Sequence, residues 1–184
     1  GIAQTGTGKT AAYLLPILMK VKYAQGDEPR AVILAPTKEL TIQIAEHAVE
    51  LAKYTDLRIL PVYGGIGPKT QIEWLRQGID ILIATPGRFT ELYMKGELPT
   101  THIQFLVLDE ADRMMDMGFI HQLRKILEVV PRKRQNLLFS ATFSERVEKL
   151  SAEFLEFPIK VEVTPQATAA KQVEQEIYHI ANLK

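Results

Sequence analysis

Cysteine is absent from this 184-residue chain, which removes disulfides, thiol catalysis and Cys-based zinc sites at once and fits a reducing, cytoplasmic compartment. An excess of charge is absent too: 22 Lys and Arg stand against 22 Asp and Glu. Any polyanion must therefore be gripped by local contacts on one face rather than by a global positive field, which argues against a histone-like or tail-type binder. Long apolar runs are missing, so no membrane span is expected. The four histidines, His47, His102, His121 and His179, lack ligand spacing, and no metal site is expected on them. Tryptophan occurs once, as Trp74, and the sequence assigns it to core packing rather than to stacking on a nucleobase.

Hydrophobic residues make up 46% of the chain, enough for one sizeable core and one α/β-sized domain. The stretch that organises it is Ala3-Gln4-Thr5-Gly6-Thr7-Gly8-Lys9-Thr10. Small residues such as Gly6 and Gly8 let successive backbone N–H groups face phosphate oxygens. Lys9 is placed to reach the outer phosphates and the Thr10 hydroxyl to ligate Mg²⁺, with the helix N-terminus adding partial positive charge. Ala3 stands where the strict pattern has Gly. A loop of this kind normally follows a buried strand, yet only Gly1 and Ile2 precede Ala3. The chain is therefore expected to be only marginally stable in isolation.

Further along, strand and helix alternate. Residues 9–23 read as a helix bent at Pro16, 31–35 as a buried strand, 37–54 as an amphipathic helix and 57–63 as a strand. The helix 68–77, the strand 79–84, a helix to 95, the strand 103–108, the helix 119–130, the strand 136–139, a helix capped by Ser144 and a last strand over 159–163 complete the series. That rhythm predicts a mostly parallel sheet covered on both faces, with the chemistry in loops at the strand C-terminal ends. Asp109-Glu110 emerges from such a strand. A nucleoside triphosphate bound with Mg²⁺ needs one carboxylate for the metal and another group to orient and deprotonate the attacking water; Asp109 suits the first role and Glu110 the second. The basic run Pro131-Arg132-Lys133-Arg134 reads as a solvated turn rather than a nucleic-acid patch.

Six segments in order now carry a resemblance: Ala3 to Thr10, Pro36-Thr37-Lys38-Glu39-Leu40, Gly64-Gly65, Thr85-Pro86-Gly87-Arg88, Asp109-Glu110-Ala111-Asp112 and Ser140-Ala141-Thr142. Together they resemble motifs I, Ia, the double glycine, Ib, II and III of the first RecA-like domain of a DEAD-box ATP-dependent RNA helicase. The resemblance implies that Gln4, Thr5, Gly6, Thr7, Gly8, Lys9 and Thr10 bind ATP, that Thr10 and Asp109 hold Mg²⁺, and that Glu110 is the general base. It implies that Ser140 and Thr142 bond toward Asp112 and couple the nucleotide to a partner domain. It also implies that Pro36, Thr37, Lys38, Gly64, Gly65, Thr85, Pro86, Gly87 and Arg88 grip a single- or double-stranded RNA backbone without reading bases. Lys38 replaces the family's usual Arg and Thr41 its common Ala, which loosens the phosphate contact at Lys38.

By the same resemblance, residues 1–164 form the ATP-binding domain without its adenine-reading segment, and 165–184 lead toward a second RecA-like domain carrying an arginine finger. The fragment is then expected to bind nucleotide weakly and hydrolyse little. A superfamily 2 DNA translocase and a nucleotide- or RNA-binding module without turnover are the alternatives. A GTPase is disfavoured, because neither an Asn-Lys-x-Asp nor an Asp-x-x-Gly stretch occurs.

Overall fold

A computed structural model describes residues 8–21, 26 and 28–162. Within them a five-stranded sheet runs in the order β2-β3-β1-β4-β5, with every neighbouring pair parallel. The strands are β1 (Ala31–Leu34), β2 (Ile59–Val62), β3 (Ile81–Ala84), β4 (Phe105–Leu108) and β5 (Gln135–Leu138). The three central strands, β3, β1 and β4, are buried at every position, as their uninterrupted aliphatic sequences require when both faces are covered. β2 contains Pro61, which has no N–H to give a ladder, and it lies at an edge.

Successive residues of each strand serve opposite faces. Ile33, Ile83 and Val107 pack with Tyr13, Leu14 and Ile17 of α1 (Lys9–Val21) and with Ile44 and Ala48 of α2 (Lys38–Leu51). Leu34, Leu82, Leu106 and Leu108 pack on the other side with Leu75 of α3 (Pro68–Leu75), Phe89 and Leu92 of α4 (Pro86–Met94) and Met114 of α5 (Ala111–Asp116). Leu123 and Ile126 of α6 (Ile120–Val129) and Val147, Leu150 and Phe154 of α7 (Glu145–Phe154) complete that layer. The N-terminal ends of three strands are tied by Asp80, fully buried, which accepts from Arg30 at 2.7 Å and from the Arg58 backbone at 2.8 Å.

Several expectations need correction. Residues 159–162 form no strand beyond an isolated bridge at Glu162, and Ile159 is 90% exposed. Trp74 is 39% exposed rather than buried, because α3 turns Gln71 and Leu75 inward and leaves position 74 on the outer side. The short helix α5 was not anticipated: its six residues are too few to show a period. The helix expected from residue 9 is present to Val21 with Pro16 inside it, and residues 22 and 23 lie outside the described residues. Residues 1–7, with Gln4, Thr5, Gly6 and Thr7, and the boundary drawn at 164/165 lie outside the described residues. No helix among the described residues is long and apolar enough to cross a membrane.

Candidate nucleotide and nucleic-acid site

The strand register sets the site. Leu34 aligns with Ala84 and Leu108, Leu108 with Leu138, and Val62 with Ala84, so all five strands end flush. The segments that follow them, at 35–38, 63–66, 85–88, 109–112 and 139–142, are therefore collected on one rim of the sheet. The basic turn 131–134 precedes β5 and lies at the opposite rim; Arg132 and Lys133 are exposed there, and Arg134 bonds Asn136 and the Pro131 carbonyl at 2.8 and 2.5 Å.

At one end of this rim, Gly8 has φ +80, a left-handed turn leading straight into α1. Lys9 and Thr10 occupy the first turn of that helix. Asp109, 3% exposed, lies at the end of β4. Its Oδ2 accepts from the Tyr13 hydroxyl at 2.9 Å, and its Oδ1 accepts from the Glu110 N–H at 2.9 Å. Burial pushes the Asp109 carboxyl above its usual range, against the pull of the Tyr13 hydroxyl, the Lys9 charge and the Glu110 N–H. Burial, and then the neighbouring carboxylate, drives the Tyr13 phenol upward.

Glu110 holds φ 50 and ψ 52, left-handed and uncommon for a residue with a side chain. Such a conformation costs about 1–3 kcal/mol and concentrates at functional positions. It breaks β4 abruptly and starts α5 one residue later, and the Glu110 carboxylate lies 3.4 Å from Arg113.

Asp112 bridges to the next strand end. Its Oδ2 accepts from the Thr142 N–H at 3.0 Å and the Thr142 hydroxyl at 2.9 Å, while its own N–H donates to Ser140 Oγ at 3.3 Å. Ser140, fully buried, donates in turn to the Thr142 carbonyl at 2.6 Å. Burial alone would raise the Asp112 carboxyl, but the Thr142 hydroxyl, the Arg113 and Thr142 N–H groups and the contact with Ser140 together hold it below its ordinary value.

On the other half of the rim an open cavity of about 450 Å³ is lined by Pro36, Thr37, Lys38, Glu39, Gly64, Thr85, Gly87, Arg88 and Glu91, with Met117 and Phe119 as its apolar side. Gly65 and Pro86 do not line it. Lys38, Gly64 and Gly65 are exposed, Thr37 and Gly87 half-buried. The Thr37 hydroxyl caps α2 by accepting from the Leu40 N–H at 3.2 Å, and the Thr41 hydroxyl donates to the Thr37 carbonyl at 2.8 Å. The Lys38 ammonium lies 5.2 Å from the Tyr63 ring centroid, a steadying cation–π contact for a flexible side chain. Arg88 is only 6% exposed, and its guanidinium is turned inward to donate to the Ile66 carbonyl at 2.6 Å and to Gln71 at 3.3 Å.

Sequence reasoning missed Tyr13 and Gln71 as parts of the site. The signal for Tyr13 was a hydroxyl on the inward face of a helix, which needs a buried partner. Gln71, fully buried, carried no sequence signal beyond its place on the inward side of α3.

The sequence profile of the DEAD/DEAH box helicase family matches residues 1–150. The ATP-dependent RNA helicase RhlB of Pseudomonas putida is 45% identical over 98% of this chain and 48% of its own length. RhlB of Shewanella baltica is 44% identical over 97% of this chain and 43% of its own. The chain thus spans about half the length of these relatives. Among solved structures, the yeast DEAD-box splicing factor Prp28 matches with a TM-score of 0.80 and 36% identity over 85% of this chain and 39% of Prp28. The all-parallel sheet with helices on both faces and these matches agree: the chain belongs to the DEAD/DEAH box helicase family and has its RecA-like fold.

Proposed function

We propose that this chain is the ATP- and RNA-binding half of an enzyme that hydrolyses ATP to remodel RNA. The observation that carries the reading is the flush rim. One edge of the sheet holds Lys9, Thr10, Asp109 and Glu110 beside the cavity built from Thr37, Lys38, Gly64 and Gly87, with the Asp112–Thr142 contact alongside.

A hydroxyl at a helix N-terminus and one buried carboxylate are hard oxygen donors, the set that suits Mg²⁺ carried in with nucleotide phosphates. When bound, that ion would neutralise charge building on the phosphates. Thr10 and Asp109 would hold it, and Lys9 would pair with the outer phosphates. Gln4, Thr5, Gly6, Thr7 and Gly8 would turn N–H groups toward the remaining oxygens. Glu110 would orient the attacking water and accept its proton, aimed by its left-handed backbone.

Lys38 would supply charge to an RNA phosphate, while Gly64, Gly65 and Gly87 would let the RNA backbone approach the protein backbone. Pro36, Thr85, Pro86 and Arg88, all buried, would shape the loops that carry these contacts. Such contacts carry no base information. RNA is the substrate class because the relatives named above are RNA helicases. In the whole protein, about twice this length judging from those relatives, a second RecA-like domain would close over the rim and supply the arginine that speeds turnover. The enzyme would act in the cytoplasm.

The test is ATP turnover and ATP-analogue binding by this chain, with and without single-stranded RNA, beside Glu110→Gln. Mg²⁺-dependent binding, RNA binding without base preference, and slow turnover lost in Glu110→Gln are expected. A chain that binds no nucleotide, or turnover that survives Glu110→Gln, would overturn the reading.

A further inference from the structure

Two buried polar side chains join the loops of the cavity to each other. Gln71, fully buried on α3, donates from Nε2 to the Tyr63 carbonyl at 3.1 Å. Arg88, 6% exposed on α4, donates from Nη2 to the Ile66 carbonyl at 2.6 Å and from Nη1 to Gln71 Oε1 at 3.3 Å. Tyr63 and Ile66 flank Gly64-Gly65, so both ends of that turn are held from beneath. Its Gly65 has φ +90, a conformation that no side chain of its own enforces. Arg88 is also the third residue of α4, whose first turn carries Pro86 and Gly87. The Arg88 charge is balanced locally by Glu91, 3.2 Å away.

We infer that Gln71, acting with Arg88, is a positioning residue: it fixes the double-glycine turn against the start of α4 so that two loops meet one RNA backbone as a single preformed surface. The inference rests on the RNA reading of the rim. A buried glutamine and a buried arginine are costly unless fully paired. Here the two polar atoms of Gln71 and both terminal nitrogens of Arg88 bond each other and a turn that exposes Gly64 and Gly65, while Arg88 Nε keeps only its ion pair with Glu91. Without the clamp the turn samples other conformations, and RNA must order it on binding, which lowers affinity. The nucleotide side chains lie on other loops and should not notice.

Three readouts test this in the chain: affinity for fluorescein-labelled decauridylate, affinity for a fluorescent ATP analogue, and amide exchange over residues 63–67. Gln71→Met keeps the side-chain length and removes both polar atoms. It should weaken RNA binding about tenfold, the effect of losing a buried hydrogen bond of ordinary strength, speed exchange over 63–67, and leave ATP-analogue affinity unchanged. Gln71→Glu keeps an acceptor facing Arg88 but turns a carboxylate oxygen toward the Tyr63 carbonyl, which repels it, and adds a buried charge; it should reproduce the RNA defect, and it carries the same readouts if Gln71→Met fails to fold. In a double-mutant cycle with Arg88→Lys the losses should be less than additive, as expected of one unit.

Unchanged RNA affinity with unchanged exchange over 63–67 in a folded variant would overturn the inference. Equal losses of RNA and ATP-analogue affinity would also overturn it, since that is the mark of general destabilisation. A wild-type chain that binds no RNA would sink the functional reading instead. The exchange data alone would then decide the clamp, with faster exchange over 63–67 supporting it and unchanged exchange refuting it.

Discussion

Replacing Tyr13 with Phe takes one oxygen from the molecule and leaves everything else in place. The ring stays on Phe139, 5.2 Å away between centroids and tilted by 46°. What disappears is the contact with the Thr10 hydroxyl, together with the 2.9 Å hydrogen bond to Asp109, whose carboxylate is 3% exposed and keeps the Glu110 N–H on its other oxygen. A hydrogen bond to a charged group is worth about 1.5–3 kcal/mol. In a chain of this length each kcal/mol moves the melting temperature by about 2–4 °C, so Tyr13→Phe should lower it by about 3–12 °C. A thermal melt followed by circular dichroism, with nucleotide absent, reads this directly. On the proposed role of Asp109 in holding Mg²⁺, loss of the hydroxyl that orients its carboxylate should lower Mg²⁺-dependent affinity for an ATP analogue about tenfold. An unchanged melt together with unchanged affinity would refute the assignment of Tyr13 as the residue that orients Asp109. A higher melting temperature would show that burying the pair costs more than their contact returns.

Other consequences follow from separate parts of the fold. Asp80→Ala leaves Arg30 buried without that carboxylate and should cost about 3–5 kcal/mol, seen as a lower urea midpoint, while ATP-analogue affinity of the folded fraction stays unchanged because Asp80 lies at the opposite rim. Thr142→Val removes the 2.9 Å donor to Asp112 and should cost about 0.5–1.5 kcal/mol; in the whole protein it should reduce RNA stimulation of ATPase more than ATP affinity. Asp112 has its pKa lowered in the fold from the model-peptide value of 3.8, so its contribution to stability is present above that value and lost as pH falls below it. Acid unfolding monitored by fluorescence should therefore begin at higher pH in Asp112→Asn than in the wild type.

Much of this was legible before any coordinates. Val32-Ile33-Leu34 and Leu106-Val107-Leu108 lie in short uninterrupted apolar runs, the pattern of a strand covered on both faces, and both are central strands. The spacing of strands and helices placed Asp109-Glu110, Thr85-Pro86-Gly87 and Ser140-Ala141-Thr142 at strand ends, where the structure has them.

What the sequence hid was long-range. Position 74 reads as apolar whichever side α3 presents, and only packing against the sheet puts Gln71 inside and Trp74 outside. Residues 159–162 have strand composition, yet β propensity yields no more than an isolated bridge at Glu162 and leaves Ile159 and Val161 exposed. Arg88 looks like a phosphate ligand in Thr-Pro-Gly-Arg, and its inward turn depends on the Ile66 carbonyl 22 residues away and the Gln71 side chain 17 residues away.

The central claim is that one rim of the sheet binds both nucleotide and RNA, and the most direct measurement is a hydrogen-exchange footprint of the chain with an ATP analogue and Mg²⁺, and separately with decauridylate. The account predicts nucleotide protection over residues 8–13 and 109–112, and RNA protection over 36–38, 63–66 and 85–88. Protection instead at the opposite rim, over 99–104 and 131–134, would contradict it.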